Sequence, residues 1–232
     1  MERIVPDDLR NSFDLVSLQL HYDRYRFAGK HMMPGRVLDI ACGTGYGAYL
    51  LATEFEDLIS EIVGVDISAE SISYARRRYI LPKIKFIECE ALFFSDEHKF
   101  NSIVTLETIE HLPNPAAFIS RLYDLLLPGG VLIASAPVTL STDINPFHVN
   151  DFSEKTFRAL FDPYAFSMID TLHQTQQVSF NDLIERKANK GIRKNILVYY
   201  FSHPRILFAR ARSILTDGLS NKYRVFALQK NL

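Results

Sequence analysis

Apolar residues in this chain fall into short unbroken runs separated by segments of helical spacing. Val37 to Ile40, Glu61 to Ser68, Ile84 to Glu88, Asn101 to Leu106 and Val131 to Ala136 have the length and branching of buried strands. Between them, Tyr46 to Thr53, Ser68 to Tyr79 and Pro115 to Leu127 read as helices. The second opens on a capping pattern, Ser68-x-x-Ser71, and the third stops before Pro128-Gly129-Gly130. Phe13 to Met32 carries apolar positions with charges between them, which predicts one or two helices over the sheet. Ala91 to Lys99 reads as a polar crossover. Five strand–helix units in succession specify a parallel sheet covered on both faces, with its ligand crevice at the carboxyl ends of the strands. Later, Ser153 reads as a helix N-cap, Phe166 to Leu172 as a strand, and Tyr223 to Lys230 alternates like a half-buried strand.

Length and composition narrow this further. With 232 residues, 47% hydrophobic and 23% charged, the chain suits one globular α/β domain with room for an appendage. A net charge of −1 argues against a nucleic-acid footprint over the whole protein. Cys42 and Cys89, the only cysteines, fall beside strand ends, so a reducing cytoplasm is expected rather than a disulfide framework. The N-terminus lacks a signal-peptide core and no run reaches the length of a membrane span. Charge is nonetheless segregated. Leu183 to Arg212 holds eight Lys or Arg and one acid, Glu185, interleaved with Tyr199, Tyr200, Phe201 and Phe208. This segment reads as a solvated helical lid, or as a surface for an anionic acceptor, headgroup or membrane surface.

The candidate chemistry gathers at strand ends. After the first strand comes Asp39-x-Ala41-x-Gly43-x-Gly45, a loop whose glycines let backbone approach a ligand closely, feeding a helix whose first N–H groups point at it. The spacing is not that of a dinucleotide loop. The second strand ends in Asp66-Ile67, 21 residues after Gly45, where a carboxylate meets ribose hydroxyls, and the third in Cys89-Glu90-Ala91, where a polar group reads an adenine edge. In the N-terminal segment, Arg24 and Tyr25 could close over a carboxylate, or two tyrosines could merely pack. The fourth strand ends in Leu106-Glu107-Thr108-Ile109-Glu110-His111. If that turn is helical, Glu107, Glu110 and His111 share one face, and the loop Pro146 to Phe152 brings His148 to the same mouth. Two carboxylates and two imidazoles suit a divalent-metal site, a metal-free general base for a hydroxyl, or a structural cluster.

The glycine loop, Asp66 and the Glu90-Ala91 pair resemble class I S-adenosylmethionine-dependent methyltransferases, over about Tyr22 to Val178 and Tyr223 to Lys230. Ala41 stands where many members have a glycine, and Glu90 where they have aspartate. The resemblance implies a Rossmann-like, doubly wound seven-stranded sheet of order 3-2-1-4-5-7-6 with a basic helical insertion before the last strand. It divides the chain into N-terminal helices over the cofactor site (1–34), a methyltransferase domain (35–180 and 221–232) and the insertion as acceptor lid (181–220). S-adenosylmethionine is the implied cofactor, contacted by Arg24, Tyr25, Asp39, Ala41, Gly43, Gly45, Asp66, Ile67, Glu90, Ala91 and Leu106. Glu107, Glu110, His111 and His148 resemble the metal site of ubiquinone-pathway O-methyltransferases and small-RNA 3′-terminal methyltransferases, which implies Mg²⁺ or a similar ion. Arg-Tyr-x-Phe-Ala before the loop looks like glycan-biosynthesis methyltransferases. The expected acceptor is therefore a sugar hydroxyl in a glycan or related molecule, ahead of a phenolic or polyketide metabolite or a terminal RNA ribose. A cofactor-binding subunit without catalysis is the reading from another class.

Overall fold

The computed structural model describes residues 6–7, 12–178 and 195–232. Seven strands form one sheet of order β3-β2-β1-β4-β5-β7-β6, as expected. They are β1 (Gly35–Ile40), β2 (Ile59–Asp66), β3 (Ile84–Glu88), β4 (Phe100–Thr105), β5 (Leu126–Pro137), β6 (Phe166–Gln177) and β7 (Ser220–Lys230). The first five pair in parallel, and β7 runs antiparallel between β5 and β6. The helices are α1 (Ser12–His31), α2 (Tyr46–Glu54), α3 (Ala69–Arg78), α4 (Pro115–Leu125), α5 (Glu154–Ala159), α6 (Ile196–Ser202) and α7 (Pro204–Asp217).

The strands read as continuous apolar runs because both faces of the sheet are covered. Successive residues alternate between two cores. Val37, Ile62, Val104, Ile133 and Val225 pack with α1, α2 and α3 on one side. Leu38, Val63, Ile103, Leu132 and Phe226 pack with α4 and α5 on the other. Two caps act as read from the sequence: the Ser68 hydroxyl accepts from the Ser71 N–H, and Ser153 forms a reciprocal box with Thr156. Each such cap contributes about 1 kcal/mol.

The N-terminal segment is a single helix, within the one or two expected, since no proline interrupts it. Two boundaries differ from expectation. Strand β6 runs to Gln177, past Leu172, because β7 offers it partners as far as Ser220. Strand β5 begins at Leu126, ahead of Val131, with an irregular register where Pro128 and Gly129 interrupt the ladder. The insertion is described from residue 195 onward, as the helical pair α6 and α7. Arg186, Lys187, Lys190, Arg193 and Lys194 lie outside the described residues.

Candidate active site

The glycine loop joins β1 to α2 under tight constraints. Gly45 lies at φ +84°, and a Cβ there would stand 2.7 Å from the Phe86 ring and 2.8 Å from the Ala75 methyl. Gly43, at φ +57°, would put its Cβ into open space, so here the backbone itself faces the crevice. Ala41 also takes a positive φ, +63°, which accounts for the glycine that many class I methyltransferases carry at this place. Across the loop, the Asp66 carboxylate accepts from Gly43 N–H at 3.0 Å and from Ser68 N–H at 2.9 Å. One acid thus sets the shape of the loop and stands at the carboxyl end of β2. The open space before Gly43, with the Asp66 carboxylate beside it, fits a nucleoside cofactor. Beyond it, Ile67 and Glu90 are exposed, Ala91 is half-buried and Leu106 is buried.

Behind the loop sits Asp39, 1% exposed, with both carboxylate oxygens 3.2 Å from the Tyr25 hydroxyl. Burial raises its pKa, the hydrogen bond from Tyr25 opposes this, and the Asp66 charge raises it further, to about 7. The folded chain therefore holds a proton that the unfolded chain has released between pH 3.8 and about 7. Stability accordingly falls as pH rises through that window. Urea melts across the window should show the Asp39→Asn variant losing part of this slope. An unchanged slope would place the proton elsewhere.

Arg24 is 1% exposed and engages protein groups. Its Nε donates to the Gln174 side chain at 2.7 Å, its Nη1 lies 3.3 Å from Glu107, and the guanidinium stacks 4.3 Å over the Tyr223 ring. Arg24, expected with Tyr25 over a cofactor carboxylate, lies against Glu107, and the Tyr25 hydroxyl lies against Asp39. Both side chains are carried on the buried face of α1, and Arg24 Nη1 has no hydrogen-bond partner among the described residues.

The turn after β4 departs from the expected helical face. Glu107 lies at φ +52°, and only Ile109–His111 forms a short 3-10 turn, so the spacing of an α-helix does not apply. The cost of the left-handed backbone, on the order of 1–2 kcal/mol, is offset by Ser135. Its hydroxyl accepts from the Glu107 N–H at 3.0 Å and donates to the Glu107 carboxylate at 2.7 Å. Glu107 thereby turns toward Arg24 and leaves the cluster expected of it.

Glu110, His111 and His148 do converge. One ligand atom from each lies within 4.8 Å of the others, and the two imidazoles meet edge-on with ring centres 4.7 Å apart. The loop that carries His148 is stitched to the turn: Val149 and Asn150 N–H both donate to the Glu110 carbonyl, and the Asn150 side chain donates to Leu112. His111 Nδ1 lies 2.9 Å from the Phe147 carbonyl, which can only accept, so Nδ1 carries a proton and Nε2 is the nitrogen left to accept one. His148 Nδ1 meets the Ser141 hydroxyl at 2.7 Å. Glu110 is 1% exposed, and its Oε2 has no hydrogen-bond partner among the described residues. Burial, then the nearby Glu107 charge, raises its pKa well above the carboxylate range.

The same loop is fixed from the insertion. Arg210 Nε and Nη2 donate to the two oxygens of the buried Asp143 at 2.8 and 2.6 Å, Nη2 also donates to the Leu140 carbonyl, and the Tyr200 hydroxyl donates to Asp143 at 2.7 Å. Arg210 is therefore part of the fold, not of the solvated basic face expected of residues 183–212. Ser135, Asp143, Gln174 and Tyr223 were not singled out in the sequence. Ser135 had a signal, being a lone hydroxyl inside the apolar run Val131 to Ala136. The others had none.

Comparison with known proteins agrees with this fold. Residues 34–196 match the methyltransferase-domain family. A probable S-adenosylmethionine-dependent methyltransferase of Mycolicibacterium smegmatis is 30% identical over 74% of this chain and 66% of its own length. A ubiquinone biosynthesis O-methyltransferase of Alkalilimnicola ehrlichii is 34% identical over 53% of this chain and 49% of its own. The chain thus spans between about half and two thirds of these two relatives. In fold, it resembles the N-methyltransferase NodS of Bradyrhizobium japonicum, solved with S-adenosyl-L-homocysteine, with a TM-score of 0.61, 14% identity and coverage of 95% of this chain and 88% of that one. Since the family match runs through the glycine loop, Asp66 and the Glu110–His111 turn, the chain belongs to the methyltransferase-domain family, among the class I S-adenosylmethionine-dependent methyltransferases.

Proposed function

We propose that the protein methylates a hydroxyl oxygen, and that Glu110, His111 and His148 prepare that oxygen. The observation that carries this reading is their convergence at the crevice mouth, with Glu110 Oε2 buried and unpartnered. A hydroxyl is a poor nucleophile until its proton is removed or masked, and a neighbouring imidazole answers that need. S-adenosylmethionine supplies a methyl group on a positively charged sulfur, so in-line displacement forms the C–O bond as the C–S bond breaks. Asp66 would hold the ribose, Gly43 and Gly45 the methionine end, and Glu90 and Ala91 the adenine side, while the hydroxyl proton passes to His111 Nε2 or to His148.

Two imidazoles and one carboxylate also form a donor set suited to a divalent ion. Such a set favours a transition ion such as Zn²⁺ or Fe²⁺ over Mg²⁺, and here it consists of Glu110, His111 and His148 without Glu107. A bound ion would lower the pKa of the acceptor hydroxyl. Support for oxygen as the acceptor atom comes from the relative named as an O-methyltransferase. The preference for a sugar hydroxyl in a glycan or related molecule rests on the Arg24-Tyr25-Arg26-Phe27-Ala28 resemblance.

Transfer of labelled methyl from S-adenosylmethionine to sugar and phenolic acceptors tests the reading. Product bearing a sugar O-methyl group is expected. Methyl transfer to nitrogen alone, or S-adenosylhomocysteine binding with no transfer to any acceptor, would overturn it. Chelation divides the two versions of the chemistry: EDTA abolishes turnover if an ion is used, with recovery on adding Zn²⁺ or Mn²⁺, and leaves it intact if the histidines act alone.

A further inference from the structure

We propose that the outer face of the α6–α7 pair docks on an anionic lipid bilayer. In α7, the inward arc consists of Ile206, Arg210 and Ser213, each partly covered, and Arg210 is anchored on Asp143. The opposite arc carries Arg205, Phe208, Arg212 and Leu215, spaced i, i+3, i+7 and i+10, so that they line one side of the helix. Phe208 is 74% exposed and Leu215 87%, and Phe201 at the end of α6 is 87% exposed. Large apolar side chains so fully in water, two of them on one arc of α7, mark a surface that meets something.

Charge identifies what it meets. The two exposed arginines flank the apolar residues, and the only acid in the sequence of either helix is Asp217, at the last position of α7. Apolar side chains between cations suit the boundary between acyl chains and anionic headgroups, where rings and leucines enter the hydrocarbon and guanidiniums stay with phosphates. A second copy of the chain fits less well, because a two-fold contact would set the same arginines against each other. Among the described residues no helix is long and apolar enough to cross a membrane, so the contact is at the surface. Through Arg210 and Asp143, the docked pair is joined to the loop that carries His148. The inference is independent of the acceptor, since its test needs no turnover.

The chain contains no tryptophan, so Phe208→Trp introduces a single reporter. Its emission should shift to the blue on adding vesicles of phosphatidylcholine with phosphatidylglycerol, and remain unshifted with phosphatidylcholine alone. In co-sedimentation, the unsubstituted chain should bind the anionic vesicles, and raised salt should weaken that binding. The Phe208→Ser, Leu215→Ser pair should lower it about tenfold or more. Arg205→Gln with Arg212→Gln should remove the preference for the anionic lipid. Unshifted emission from the Phe208→Trp variant, a chain that stays in the supernatant, or equal binding by the serine variant would each overturn the proposal. Concentration-dependent dimers abolished by Phe208→Ser, without vesicle binding, would assign the face to a second copy instead.

Discussion

Replacing His148 with alanine should lower turnover by about 100- to 10,000-fold, the range of a lost general base, while S-adenosylhomocysteine should bind as before. The separation follows from position. His148 sits on a loop held to Glu110 by two backbone hydrogen bonds, and its ring engages Ser141 and His111, on the far side of the crevice mouth from Asp66. His111→Ala should behave alike, since one of its ring nitrogens belongs to the same cluster. Glu110→Gln should lower turnover too, through a side chain whose Oε2 is buried without a partner. Because residues acting as a unit are not additive, the His111→Ala, His148→Ala double variant should be little worse than either alone. Steady-state rates beside a binding titration check this. Unchanged turnover in both single variants would remove the cluster from the chemistry.

Asp66→Ala should weaken S-adenosylhomocysteine binding by about 100-fold, as expected for two hydrogen bonds to a charged acceptor at roughly 1.5 kcal/mol each. The variant also frees the Gly43 and Ser68 N–H groups, so part of the loss comes from a slack loop. Gly43→Ala separates the two contributions. Its methyl would meet no protein atom, so beyond left-handed backbone strain on the order of 1–2 kcal/mol the fold should tolerate it, while the side chain fills the space the ligand needs. Gly45→Ala should instead be chiefly a folding defect, because its methyl collides with Phe86 and Ala75. Titration of S-adenosylhomocysteine and thermal melts on the three variants distinguish these outcomes. Wild-type affinity in Asp66→Ala would move the cofactor away from β2.

Much of this was legible in the sequence because it depends on local rules. Buried parallel strands are continuous apolar runs, a helix opens on a cap, and backbone approach to a ligand requires Gly43 and Gly45, so the sheet and the loop could be read residue by residue. His148 beside His111 was legible because both follow strand ends that face one crevice. What could not be read depends on contacts distant in sequence. Arg24 finds Gln174 at a separation of 150 residues, and Asp143 finds Arg210 at 67. Neither pairing leaves a periodic trace. Glu107 misled for a different reason: helical spacing assigns it to the Glu110–His111 face, and only the backbone conformation permitted by Ser135 turns it away.

A crystal structure with S-adenosylhomocysteine bound tests the central claim most directly. The account predicts ribose hydroxyls on Asp66, the amino-acid end over Gly43, and the sulfur turned toward Glu110, His111 and His148. A nucleoside held elsewhere, or a sulfur facing away from the two histidines, would contradict it.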